Sequence, residues 1–222
     1  MAIALAVPLL TAVIGALPTT AQASTTPIPA FVAVPTTPTS QPYGSNDADS
    51  ANLADFGYVQ EEFFISGTAQ GSPYTTRILV RRPANTAAFS GTVIAESIRS
   101  TATRSMWSVR AYIMRSGHAY VEIGSNITAI NNLVKPSNRS RYGSLSMLAA
   151  MNLPPNTGAV FGHVLGIMAQ GGMVLKANPA GGPFDGFDVR NVILGGCSEQ
   201  GLIIRQYMRD DSFQIVYSAE KL

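Results

Sequence analysis

The chain has 222 residues, enough for one domain with a real core or for part of a larger one. Its net charge is +2 and only 13% of its residues are charged, so no basic face advertises nucleic-acid binding. Two histidines and one cysteine supply no zinc cluster and no internal disulfide, and no metal, nucleotide or other cofactor signature is expected.

Residues 2–17 are apolar, broken by Pro8, and Ala21-Gln22-Ala23 precedes Ser24. This is the layout of a signal peptide with an A-x-A cleavage pattern, although no Lys or Arg stands ahead of it. The run falls below the ~20 residues that span a bilayer. Residues 1–23 are therefore expected to be removed, leaving a secreted or periplasmic protein with no stable membrane span; the alternative is an uncleaved anchor. Residues 24–52, rich in Thr, Pro and Ser, read as an extended leader without a core element, with room for part of it to lie against the domain.

From Tyr58 the pattern becomes strand-like. Residues 58–66 and 74–82 form an expected hairpin around a turn at 67–73. Thr76, Ile78 and Val80 alternate along the second strand, and Pro83 ends it. Glu61 and Glu62 are expected in solvent, as are Arg81, Arg82, Arg139 and Arg141. Residues 91–96 make a short continuous apolar run, the signature of a strand covered on both faces. Met106 to Met114 fit a helix closed by Gly117, and residues 119–123 a further strand. A polar loop is expected over 126–142, a helix over 144–151 and a long helix over 160–176. Met147, Met151, Met168 and Met173 are expected to pack a core.

Residues 189–194 are then a strand, followed by Gly195-Gly196-Cys197-Ser198-Glu199-Gln200-Gly201 and a helical pattern. A serine between a strand and a helix, with a small residue two places earlier, is the layout of a nucleophile elbow. The pattern is G-x-S-x-Q, with a glycine one place late at Gly201. An ordinary strand–glycine–helix junction with an incidental serine has the same letters. Cys197 offers a rival thiol nucleophile, but a residue before the apex is expected to point away from the cleft as a small buried side chain. The alternation of strands and helices predicts a three-layer α/β sheet with an N-terminal hairpin. Ser198 then falls on the third strand-to-helix crossover after Gly91.

Several stretches together resemble a known family: residues 58–67, 74–83 and 89–96, Trp107, residues 115–121 and 141–145, and Val192 to Ser198. It is the family of "alpha/beta hydrolase domain" proteins, and the resemblance spans about residues 58–208. It implies a hydrolase-like fold and a serine hydrolase acting on small-molecule esters. By the same resemblance Ser198 is the nucleophile and the Glu199 N–H supplies half of an oxyanion hole. The other N–H would come from the loop near Ser97 and Ile98.

The triad of this fold runs nucleophile, acid, histidine in chain order. Here His118 and His163 both precede Ser198, and the acids after it are Glu199, Asp210, Asp211 and Glu220. His118 is expected at the sheet edge opposite the strand C-termini, and His163 on a helix as a partly exposed or core-satisfied residue. Residues 213–217 look strand-like shortly before the last residue, Leu222. Residues 53–222 are thus expected to be a partial domain, incomplete at its C-terminus, whose sheet a missing segment or a partner would complete. Two functions stay open: an ester hydrolase whose acid and histidine lie outside this chain, or a non-catalytic secreted binding module.

Overall fold

The computed structural model describes residues 26–45, 53–147 and 158–209. The expected signal segment, Met151, Asp210, Asp211, Glu220 and the strand-like stretch 213–217 lie outside these residues.

Six strands form one mixed sheet: β1 (Ala30–Ala33), β2 (Tyr58–Ala69), β3 (Ser72–Pro83), β4 (Thr92–Ser97), β5 (Ala119–Ile123) and β6 (Asn191–Leu194), in the order β1-β2-β3-β5-β4-β6. The first three strands are antiparallel, β3 meets β5 antiparallel, and β5, β4 and β6 run parallel. The β2–β3 hairpin is tighter than expected. Its turn is only Gln70-Gly71, with φ of 51° and 74°, the left-handed pair that matches strand twist in a two-residue turn.

The helices are α1 (Arg110–Arg115), entered through a 3-10 turn at Met106–Val109, then α2 (Ile127–Ala129), α3 (Lys135–Ser137), α4 (Arg139–Tyr142), α5 (Gly158–Ala177) and α6 (Glu199–Arg209). Trp107, Ile113 and Met114 pack with Ile94 and Tyr120 on one face of the sheet. Leu165, Met168, Val174, Ile203 and Tyr207 of α5 and α6 pack with Val93, Ala95 and Val121 on the other. The result is a three-layer α/β architecture. By length and composition α5 could cross a membrane, yet most of it is buried here, which explains its nearly all-round apolar character.

Three local expectations are corrected. The 126–142 stretch is helical: Asn126 and Asn138 cap it by accepting from the Ala129 and Arg141 N–H groups, and Ile130 and Val134 bury one face around a π-helical turn. The described part of 144–151 is not helical, because Ser146 forms a β-bridge with Thr75. The leader adds a strand, β1, to the sheet edge.

The charged residues are corrected most. Glu62, Arg77, Arg81, Glu122 and Arg141 are all buried. Arg77 pairs with Glu62 (2.6 Å) and Glu122, Arg104 with Glu122 (2.7 Å), and Arg141 with Glu62 (2.7 Å). The leader covers this row with main-chain oxygens: Pro35 and Ser40 accept from Arg141, Tyr43 from Arg77 and Arg104, and Gly44 from Arg81. Polar leader sequence is what buried guanidiniums require, since each must find acceptors when taken from water.

Candidate active site at the elbow after strand β6

β4 connects to β5 on one side, and the chain returns from β5 past β4 to β6 on the other. Connections therefore diverge at the C-terminal end of β4, the place where open α/β sheets form their ligand crevice. Two segments border it: the loop after β4 and the turn between β6 and α6.

The turn is held in register by the Gly195 N–H, which donates to the Ala95 carbonyl (2.9 Å). Ser198 follows with φ of +56° and an exposed side chain. A left-handed non-glycine residue is strained, and this strain at a strand-to-helix turn lifts a serine hydroxyl above the sheet. Glu199 is the first residue of α6, where main-chain N–H groups have no intrahelical partner.

Gln200 explains the departure from G-x-S-x-G. It is buried, its Oε1 accepts the Cys197 N–H (3.1 Å), and its Nε2 donates to Glu96 Oε2 (2.7 Å) and to the Ser97 carbonyl. A Cβ on Gly196 would lie 2.5 Å from the Gln200 Cβ. Gly196 and Gln200 are thus a matched pair, and close packing is reached with the side chain on one side only. A Cβ on Gly201 would meet nothing within 4 Å, so the late glycine has no such role.

Glu96 anchors the clasp. It accepts from the Ser105 N–H (2.9 Å), the Met106 N–H (3.1 Å) and the Tyr120 hydroxyl (2.6 Å) as well as from Gln200. Burial pushes its carboxyl above the ordinary range, against the hydrogen bonds from Tyr120 and Gln200. One carboxylate thereby ties the elbow, the loop after β4 and β5 into a single unit.

The expectation at Ile98 is corrected. Its N–H donates to the Ile123 carbonyl (2.9 Å) and its side chain is buried, so that donor belongs to the β4–β5 pairing. Ser100, two residues on, was not foreseen. Its N–H and its Oγ–H (2.8 Å) both donate to the Glu199 carboxylate. Ser100 and Glu199 open onto a cleft of about 300 Å³ walled by Val160, Phe161, Val164, Leu202 and Ile203 and by Asn126 to Thr128.

Cys197 is exposed rather than buried, with its Sγ 3.1 Å from Ser105 Oγ. His118 stands at the start of β5, its Nδ1 hydrogen-bonded to Ser90 Oγ (2.7 Å), at the opposite edge of the sheet from the elbow. His163 is buried on α5, where its Nδ1 donates to the Ala69 carbonyl (3.1 Å). Neither histidine is hydrogen-bonded to Ser198. Among the described residues no group of three His, Cys, Asp or Glu side chains could hold a metal ion.

The family model described as "Alpha/beta hydrolase domain" matches residues 25–218, most of the chain. The chain belongs to the alpha/beta hydrolase domain family. No curated protein and no solved structure matches it. In this member of the alpha/beta hydrolase domain family, the divergence of connections at β4 and the left-handed Ser198 both lie at the C-terminal end of the parallel strands. The family match also begins within the leader, in keeping with β1 and the carbonyls that line the buried arginines.

Proposed function

We propose that the protein is a serine hydrolase of carboxylic esters with Ser198 as nucleophile, and that it is exported. The observation that carries this reading is the left-handed backbone of Ser198, φ +56°, between β6 and α6. A packing junction has no need of strain at a serine, whereas a nucleophile that must stand clear of the sheet does. Ser198 would attack the ester carbonyl, and the N–H of Glu199 at the start of α6 would stabilise the developing oxyanion. The apolar N-terminal run and its A-x-A triplet support export.

A serine hydroxyl needs a base to take its proton. That His118 and His163 are both bonded elsewhere favours a second reading, in which the elbow is retained in a non-catalytic binding module. Labelling with a fluorophosphonate probe separates the two. Under the hydrolase reading the folded protein is labelled and Ser198→Ala abolishes the label. A folded chain that takes no label, or whose label survives Ser198→Ala, rejects it.

A further inference from the structure

The loop after β4 offers one donor pair toward the elbow. The Ser100 N–H and Oγ–H converge on the two oxygens of the Glu199 carboxylate, and both residues line the cleft. Ile98 has no part in this, its N–H being bonded to Ile123. A main-chain N–H and a hydroxyl aimed at one anion are the donors that recognise an oxyanion. The anion that holds them belongs to the residue next to Ser198, whose own N–H opens α6.

We propose that Ser100 supplies the loop half of an oxyanion site, and that the Glu199 carboxylate occupies it as an internal stand-in that a substrate carbonyl or a carboxylate ligand must displace. The catalytic meaning of this site rests on Ser198 being the nucleophile; its binding chemistry does not. The rest of the wall is mainly apolar, Val160, Phe161, Val164, Leu202 and Ile203 with Ile127, and carries the polar Asn126 and Thr128, which suits a monocarboxylate, or its ester, with a largely apolar tail. With Glu199 in place an incoming carboxylate meets a like charge at the same donors, while a neutral ester does not. Glu199 therefore sets a preference for the ester over its acid.

Hexanoate is a direct probe, read through the Ser100 amide resonance of ¹⁵N-labelled protein. The wild type should show no saturable shift at Ser100, whereas Glu199→Ala should, with hexanoate at least about tenfold tighter. Adding Ser100→Gly to Glu199→Ala should weaken that binding by removing the hydroxyl. Folded Glu199→Ala with no shift at Ser100, or wild type binding hexanoate equally well there, overturns the proposal. If Glu199→Ala does not fold, Glu199→Gln decides, because it keeps an acceptor but removes the charge: hexanoate should reach Ser100 in it, and failure to do so overturns the proposal. Fluorophosphonate labelling at Ser198 should also rise severalfold in Glu199→Ala. If no variant labels, the nucleophile reading fails while the hexanoate titration still decides the anion site.

Discussion

Ser198 keeps a Cβ in a backbone conformation that disfavours one, at about 1–2 kcal/mol. Replacing it by glycine removes that strain, whereas alanine keeps it. Ser198→Gly should therefore unfold at a higher temperature than Ser198→Ala, while both lose any fluorophosphonate label; equal melting temperatures would show that the turn is not strained. The turn at Ser198 is legible because strand, glycine and helix patterns converge on it. The contact of Ser100 with Glu199 is not, because sequence distance cannot tell that Ile98 pairs with β5 while Ser100 turns into the cleft. Gln200 read as a misfit for a related reason. Its side chain is needed by Glu96 and by the Cys197 N–H, partners brought close only by the β4–β6 pairing.

In the β2–β3 hairpin, alternation places Ile78 and Val80 on one face; both are buried, together with Phe63 and Ile65 of β2. The same alternation puts Glu62, Arg77 and Arg81 together on the other face, where charge alone predicts that Glu62 and Arg81 face solvent. They are buried because β5, the leader and Arg141 supply counter-charges and acceptors from distant parts of the chain. Removing one partner leaves an uncompensated buried charge. Arg77→Ala should destabilise the fold by about 3–5 kcal/mol, measured by denaturant unfolding, because Glu62 and Glu122 lose the guanidinium they share and each keeps only one arginine, Arg141 and Arg104. A loss of less than about 1 kcal/mol would place the pair among weak, solvent-screened contacts. The helical 126–142 stretch was missed because its polar caps, Asn126 and Asn138, outweigh its short apolar spacing in the sequence.

The α/β class and the order of the main elements followed from the alternation of periodicities, which local sequence records well. The burial of charge and the docking of the leader depend on contacts across the entire sheet. These contacts also set the acid behaviour of the protein. Burial would raise the Glu122 carboxyl, but Arg104 and Arg77 outweigh it and hold it below the usual range. A depressed carboxyl contributes stability above its unfolded value, about 4.3, and that contribution is lost as pH falls through the folded value. Glu122→Gln should accordingly flatten the loss of stability below about pH 4, and an unchanged acid limb would show that another carboxylate dominates it.

The covering of the arginine row by Pro35, Ser40, Tyr43 and Gly44 has a consequence for the proposed export. These carbonyls stand where water would otherwise solvate three buried guanidiniums, those of Arg141, Arg77 and Arg81, together with Arg104. A processing cut near Ser24, were it made, would leave every one of these acceptors attached, whereas a cut beyond Gly44 would strip them from the sheet. The shortest chain able to keep this charge row satisfied is thus fixed by the chemistry of arginine rather than by the apolar core.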